Sequence, residues 1–142
     1  MTKINCKRKG NRFELEVSKR LTEITNAKWF RVGVSSGSRF TKQGIESFQG
    51  DILTEDKNFK DIIIECKATK SRISLEDLAN NKSKFWEWVA QVIKESDGKK
   101  WVLIFKANNG KLFFVSEGKN KVTAGLSLLL KIEKNNILVF SV

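Results

Sequence analysis

The sequence predicts an α/β fold, a mixed central β-sheet flanked by helices, and three observations support this prediction. Phe13, Val17 and Leu21 recur at helical spacing near the start of the chain, which indicates an amphipathic helix. A polar stretch at residues 55–58 separates two apolar runs, as in a hairpin of half-buried strands. A second helical pattern over residues 74–95 precedes further apolar runs, so strands lie on both sides of it in the chain.

The length and the charge of the chain limit the classes of protein to which it can belong. The chain has 142 residues and a formal net charge of +11 at pH 7. We expect a single domain over residues 1–142 and a polyanionic partner, with nucleic acid favoured over a membrane surface. The longest apolar run, residues 126–132, is too short to span a bilayer, and the polar start of the chain lacks a secretory pattern. We therefore expect a cytoplasmic, intracellular protein without membrane contact, and a nucleoid-associated protein and a protein of viral origin both fit this expectation.

Missing residue types narrow the chemistry. The sequence has no histidine and no tyrosine, which excludes a Ser-His-Asp triad, a histidine-based metal nuclease and a tyrosine-linked strand transfer. Its two cysteines, Cys6 and Cys66, lie far apart in unlike contexts, so neither a zinc site nor a structural disulfide is expected. A metal ion held by carboxylates remains as the hydrolytic mechanism.

The first helix is predicted over residues 9–25. Basic side chains crowd its start, at Lys3, Lys7, Arg8, Lys9 and Arg12. This cluster either grips the phosphates of a nucleic acid or is a solvated terminus. Glu14 lies beside the apolar stripe, where a carboxylate is either held at the edge of a cleft or exposed on an ordinary surface.

A strand over residues 29–34 and two loops are predicted next. The small-residue loop 35–38 contains serines and a glycine, which let backbone and hydroxyl groups approach a phosphate, although such a loop is often only a connector. Residues 39–49 show no clear period, and we interpret them as a mobile loop near the substrate. This segment contains the basic residues Arg39 and Lys42.

The hairpin is predicted between residues 52–53 and 62–64, with a tight turn near Asn58. Asp51 and Glu65 each stand seven positions from Asn58, so the strands bring these two carboxylates roughly opposite each other. Three charged groups then converge at the end of an apolar hairpin. Burying them without a partner would cost several kcal/mol, roughly, and a bound cation would remove that cost.

Alternation along the second strand separates its side chains into two faces. Glu65 and Lys67 project from one face, because side chains alternate along a strand. Residues that point to the other face, toward a core, are Ile62, Ile64 and Cys66. Cys66 is thus interpreted as a small core residue.

Metal-assisted phosphodiester hydrolysis fits these groups. Mg²⁺ takes oxygen ligands, so Asp51, Glu65 and the backbone carbonyl of Cys66 would suit it. Lys67 would orient an attacking water or help to deprotonate it, while the metal stabilises charge on the phosphate. The alternative is a surface hairpin with a cross-strand Glu/Lys pair.

A second helix is predicted after the hairpin. Ser74 fits its N-cap and Asp77 the reciprocal acidic position of a capping box. The polar pair at residues 80–81 is a point where the helix can break. Trp86 and Trp88 fall on different faces, so we expect one in the core and the other partly exposed.

The carboxyl-terminal part is predicted to complete the sheet. Strands at residues 101–105 and 112–115 are joined through residues 108–110, whose Asn-Asn-Gly sequence is a strong hairpin signal. Residues 123–134 fit either a short helix or a strand, and residues 137–140 fit a last strand.

The order of helix glutamate, strand aspartate and strand Glu-x-Lys, at Glu14, Asp51, Glu65 and Lys67, resembles the PD-(D/E)xK nuclease superfamily. Within it the chain is most similar to the archaeal-type Holliday junction resolvases. Those proteins have a basic Arg-Lys-Gly turn four residues before a catalytic glutamate, a pattern that residues 8–14 match. The resemblance covers roughly residues 7–105 and implies a restriction-endonuclease-like core.

The resemblance also implies roles for individual residues. Glu14, Asp51, Glu65 and Lys67 would be catalytic, and the family's Ser-x-Gly-Ser loop places a serine needed for activity at Ser36 or Ser38. The implied cofactor is Mg²⁺, with Mn²⁺ expected to substitute, and Glu14 would join its ligands directly or through a water. No nucleotide cofactor is expected. Residues expected to bind DNA are Lys7, Arg8, Lys9, Arg12, Arg39, Lys42, Lys70 and Arg72.

Two departures separate the chain from that family. Gly50 precedes Asp51 where the superfamily has proline, and the segment between Ser38 and Asp51 is longer than in the archaeal resolvases. Our first expectation is a homodimeric endonuclease that resolves four-way junctions in DNA recombination or repair. The second is a restriction- or repair-type nuclease on duplex or flap DNA, and the third is a catalytically silent module that binds nucleic acid.

Overall fold

The structure of the chain is a computed structural model. It describes residues 3–31, 50–68, 73–106 and 111–142. For residues 3–10 and 134 it describes the backbone alone. Within these ranges the helices are α1 (Lys3–Thr25), α2 (Leu75–Ala79) and α3 (Lys84–Ser96), and a 3₁₀ turn spans Lys134–Asn136. The strands are β1 (Trp29–Arg31), β2 (Ile52–Thr54), β3 (Ile62–Lys67), β4 (Lys100–Lys106), β5 (Leu112–Glu117), β6 (Ser127–Ile132) and β7 (Ile137–Ser141).

The strands form one seven-stranded sheet in the order β1-β2-β3-β4-β5-β7-β6. Strands β3 and β4 pair in parallel, and the other neighbours pair antiparallel. Helices α2 and α3 lie between β3 and β4 in the chain, as a parallel pair requires a long crossover connection. The predicted α/β class with a mixed central sheet is confirmed, and it is consistent with a restriction-endonuclease-like fold.

Helix α1 covers one face of the sheet. Its side chains Val17 and Leu21 are fully buried and belong to the same apolar cluster as Ile64 of β3, so the predicted stripe is confirmed. The helix begins at Lys3 rather than at residue 9. Residues 3–8 show no apolar periodicity from which a helix could be predicted. They also contain no glycine or proline, the residues that most disfavour a helix, so the helix can extend through them.

Helix α3 covers the opposite face. Trp86 and Trp88 are 7% and 8% exposed, so the expectation that one of them is partly exposed is wrong. The indole nitrogen of Trp86 donates a 2.7 Å hydrogen bond to the Leu78 carbonyl, which satisfies its only polar group. Trp88 packs 5.9 Å from the ring of Phe105 on β4. Trp86 is therefore held against α2 and Trp88 against the sheet.

The predicted second helix is two helices. The Ser74–Asp77 capping box is present at the start of α2, as expected. Asn80 has extended backbone angles and ends α2, which confirms the predicted break. The hydroxyl of Ser83 donates a 2.6 Å hydrogen bond to the Asp77 carbonyl and holds the start of α3 against α2.

The remaining predictions concern the last strands. Strands β4 and β5 pair antiparallel, as expected, whereas the predicted turn at residues 108–110 lies outside the described residues. The ambiguous segment 123–134 contains a strand, β6, at the edge of the sheet.

In the described ranges, no helix combines the length and the apolar character that crossing a bilayer requires.

Candidate active site

The hairpin of β2 and β3 has the predicted register. Ile52 lies opposite Ile64, and the Asp51 amide donates a 2.7 Å hydrogen bond to the Ile64 carbonyl. The turn is closed by Asp56, whose carboxylate accepts a 2.9 Å hydrogen bond from the Asn58 amide. Asp51 and Glu65 therefore stand side by side at the end of the hairpin that is remote from the turn.

Gly50 determines the backbone conformation by which the chain enters this site at Asp51. Its φ angle is +88°, a value that the proline ring, which fixes φ near −65°, cannot reach. A Cβ atom at this position would lie 2.5 Å from the Ile64 carbonyl oxygen. The local backbone therefore requires glycine, which explains why this chain lacks the proline of the PD-(D/E)xK name.

Asp51 is tied to β3 by its side chain as well as by its backbone. Its Oδ2 accepts a 2.8 Å hydrogen bond from the amide of Cys66. The carboxylate is half-buried, and the bond to a strand amide fixes its orientation beside Glu65.

Glu65 shares a buried environment with Asp51. Its residue surface is only 9% exposed. Burial is the main cause that raises the pKa of Glu65 to about 8, and the negative charges of Asp51 and Glu95 act in the same direction, with Lys67 opposing them. At neutral pH the raised pKa of Glu65 favours its protonated form beside the carboxyl group of Asp51.

Glu14 lies on the face of the sheet that α1 covers. Its Oε2 is 3.5 Å from Nε of Arg31 on β1, and its side chain is 23% exposed. Burial and the charge of Asp51 raise the pKa of Glu14, while Arg31 acts against this rise. The Nε of Arg31 is buried and makes no hydrogen bond of its own. Glu14 is therefore within the electrostatic reach of Asp51 at the edge of the site.

Lys67 lies on the same face as Glu65, two residues further along β3. Its ammonium donates a 3.0 Å hydrogen bond to Oε1 of Gln91 on α3, and Nε2 of Gln91 donates a 3.0 Å bond to Glu95. Gln91 and Glu95 were missed by the sequence reasoning. Their spacing of four along a helix places them on one face, but nothing in the sequence says that this face meets β3.

Cys66 points to the opposite face and packs against the cluster under α1, as expected for a core residue. Burial raises the pKa of its thiol well above the usual value, and the charges of Asp51, Glu14 and Glu65 add to that rise. The thiol is therefore neutral, and the backbone of Cys66 is the part that contacts the site.

The other predicted site residues fall into three groups. Arg12 is exposed on α1. For Lys7, Arg8 and Lys9 the structure describes the backbone of α1 alone. Outside the described residues lie Ser36, Ser38, Arg39, Lys42, Lys70 and Arg72.

The donor set fits a hard divalent cation in part. Two carboxyl groups that share one proton are an arrangement that a cation relieves by taking the place of the proton. Over the described part of the chain, however, no three or more His, Cys, Asp or Glu side chains are grouped so as to hold a metal ion. Of the predicted ligands, Asp51 and Glu65 are the two carboxyl groups that lie together at the end of the hairpin, and the charge of Asp51 also acts on Glu14.

One comparison with known proteins identifies relatives. A family model described as "Phage putative PDDEXK endonuclease" matches residues 5–139. No curated protein and no solved structure matches the chain. The matched range contains Glu14, Asp51, Glu65 and Lys67. It supports the resemblance to the PD-(D/E)xK superfamily and does not single out the Holliday junction resolvases.

Proposed function

This chain belongs to the phage PDDEXK endonuclease family, and we propose that it is a Mg²⁺-dependent endonuclease that hydrolyses phosphodiester bonds in DNA. The observation that carries the proposal is the carboxyl pair Asp51 and Glu65 at the end of a hairpin, with Lys67 on the same face as Glu65. Oxygen ligands of this kind suit Mg²⁺ and also Mn²⁺.

Asp51 and Glu65 would hold the ion, with the carbonyl of Cys66 as a third ligand and Glu14 as a further ligand directly or through a water. When bound, such an ion stabilises the negative charge that develops on the phosphate and lowers the pKa of a bound water. Glu65 has to lose the proton it shares with Asp51 before both carboxylates can act as ligands. The Cys66 amide meanwhile keeps Asp51 in position.

Lys67 acts on the attacking water. An ammonium group has three donors and no acceptor, so in its charged form it orients the water by donating to the water oxygen or to the phosphate. Accepting the proton of the water requires the neutral amine. A serine of the segment 35–38, Ser36 or Ser38, is proposed as an additional donor to the phosphate.

DNA binding is proposed to use the basic residues at the start of α1 and on either side of the hairpin. The net charge of +11 draws the chain to a polyanion, and the start of α1 lies on the helix that carries Glu14. The proposed contacts with backbone phosphates are Lys7, Arg8, Lys9, Arg12, Arg39, Lys42, Lys70 and Arg72.

Two substrate classes are proposed in order. The first is a four-way junction, cut by a homodimer whose two sites meet symmetrically related strands; this choice rests on the match of residues 8–14 to the resolvase pattern. The second is duplex or flap DNA. The long segment between Ser38 and Asp51, which the archaeal resolvases lack, favours this second class.

End-labelled junction, flap and duplex DNA of the same sequence test the proposal. We expect Mg²⁺ or Mn²⁺ to support cleavage, EDTA to prevent it, and Asp51→Asn to be inactive on every substrate. Faster cutting of the junction, together with a dimeric mass in analytical ultracentrifugation, supports the first substrate class. Faster cutting of the flap or duplex supports the second, and binding without cleavage of any substrate contradicts the enzymatic proposal.

A further inference from the structure

We propose that Gln91 is a positioning residue that holds the Lys67 ammonium in place for the hydrolysis reaction. This inference rests on the proposed function. Lys67 lies near the end of β3 and Gln91 lies in the middle of α3, and their side chains meet at 3.0 Å between Nζ and Oε1. The bond joins the strand that carries Glu65 to the helix on the other side of the site. A lysine side chain has many rotamers, so an anchor of this kind removes freedom that would otherwise misplace its charge.

Glu95 fixes which end of the Gln91 amide faces Lys67. A glutamine amide has one acceptor oxygen and one donor nitrogen, whereas an ammonium only donates and a carboxylate only accepts. Nε2 of Gln91 donates to Oε1 of Glu95 at 3.0 Å, which leaves Oε1 of Gln91 for Lys67. The reversed amide would set donor against donor and acceptor against acceptor. The three residues therefore form a chain with one favourable direction.

The charge of the anchor matters as much as its geometry. Asp51, Glu65 and Glu95 already place several carboxyl groups around the site, and two of them raise the pKa of Glu65. A neutral amide holds Lys67 without adding another negative charge. A carboxylate at position 91 would instead form an ion pair with Lys67 and compete with Glu65 and the phosphate for the ammonium.

The turn of α3 that carries Gln91 is anchored in the core. Trp88 and Val92, which flank Gln91 on α3, are 8% and 1% exposed, and they share a core cluster with Ile63 of β3. The packing of α3 on the sheet thus sets the distance between Gln91 and Lys67. The hydrogen bond itself lies on the exposed side of this contact, where substrate can reach the ammonium.

The test compares Gln91→Leu with the control Ala90→Leu, which adds the same side chain at the neighbouring exposed position of α3. Cleavage is measured at saturating Mg²⁺ over a range of DNA concentrations. We expect Gln91→Leu to lower kcat by up to about 10²-fold, the loss that a misplacement of about 1 Å can cause, with KM unchanged. Ala90→Leu should leave both constants unchanged. Gln91→Glu should also lower kcat, because it holds Lys67 too tightly.

A second readout does not depend on activity. The lysine ammonium ¹H–¹⁵N signal of Lys67, assigned by its loss in Lys67→Ala, should exchange faster with water in Gln91→Leu and remain protected in Gln91→Glu and Ala90→Leu. An unchanged signal in Gln91→Leu, or an unchanged kcat, overturns the positioning role. Absence of cleavage by the unaltered protein on all substrates overturns the proposed function, and the ammonium signal then still decides whether Gln91 holds Lys67.

Discussion

The carboxylate of Asp51 accepts a 2.8 Å hydrogen bond from the amide of Cys66, so the residue that enters β2 is tied to the strand that carries Glu65. The tie places a second carboxyl group beside a glutamate that is 9% exposed. Two carboxyl groups that are close together and buried do not readily ionise at the same time, because their charges repel. The Asp51–Glu65 pair therefore retains a proton. In the proposed function, these two groups bind the cation once that proton has left.

The first prediction concerns Asp51→Asn. The amide oxygen of asparagine can still accept the bond from Cys66, so the fold should be retained. Cleavage should be abolished, because a metal ligand is lost, while DNA affinity should be equal or slightly higher, because a negative charge near the phosphates is removed. Circular dichroism, cleavage and DNA titration of the same preparation check these outcomes. Cleavage at the unaltered rate would contradict the site assignment.

The second prediction concerns the pH dependence of stability without divalent cations. The pKa of Glu65 is about 8 in the folded protein against the ordinary glutamate value of 4.5. Between these two pH values the folded state holds a proton that the unfolded state has released, so the free energy of unfolding should fall as pH rises. The stabilisation is fully present below about pH 4.5 and is lost as pH passes 8.

Urea denaturation at a series of pH values measures this slope. Glu65→Gln removes the titrating group and should flatten the curve, although part of the slope remains because the pKa of Glu14 is raised in the same direction. Mg²⁺ should stabilise the unaltered protein more at pH 8 than at pH 6, since the proton no longer competes with it. Equal slopes for the protein and Glu65→Gln would show that the pair carries no extra proton.

The hairpin could be predicted from the sequence because the residues that set its register lie within the hairpin itself. The distances from Asn58 to Asp51 and Glu65 along the chain are equal, and alternation fixed which side of β3 each residue faces. The network of Lys67, Gln91 and Glu95 could not be predicted in this way. It depends on how α3 crosses the sheet, and that crossing is set by buried side chains that are remote in sequence, in the cluster around Trp88.

Other differences have similar physical causes. In the edge strand β6, Leu128 and Leu129 are exposed and Leu130 is half-buried. An apolar run of this kind has no clear period of two or of 3.6. The burial of Trp86 depends on α2, which accepts the hydrogen bond of its indole. The apolar periodicity of residues 74–95 does not show that α2 packs against this indole.

The third prediction concerns Gly50. An alanine there would have a positive φ and a Cβ atom 2.5 Å from the Ile64 oxygen, so the β2–β3 pairing has to shift. We expect Gly50→Ala to lower the free energy of unfolding by about 1–3 kcal/mol and to lower cleavage through displacement of Asp51. Gly50→Pro should be worse, because the ring excludes this φ.

Gly125→Ala is the matched control, because a Cβ atom at Gly125 has no neighbour within 4 Å. Its stability and cleavage should stay close to those of the unaltered protein. Equal stability of Gly50→Ala and Gly125→Ala in urea would contradict the steric argument. Full activity of Gly50→Pro would show that the superfamily's proline can be accommodated here after all.

The last prediction concerns the basic cluster at the start of α1. Each phosphate contact contributes a slope of about −0.9 to log K against log salt on duplex DNA. Replacing Arg8, Lys9 and Arg12 together with alanine should therefore flatten the slope by up to about 2.7, and affinity should fall almost equally for all sequences. Fluorescence anisotropy over a salt series with inactive Asp51→Asn as the background measures both effects.

A charge-matched control separates specific contacts from net charge. Lys28, Lys57 and Lys60 are exposed near the turn end of the hairpin, and their combined replacement removes the same charge away from Asp51 and Glu65. If the start of α1 grips DNA and delivers the phosphate to the carboxyl pair, only the first triple variant should change the slope strongly. Equal slopes for both variants would mean that the cluster is a solvated terminus, and that the DNA contacts have to be sought at Lys70, Arg72 and the segment 39–49.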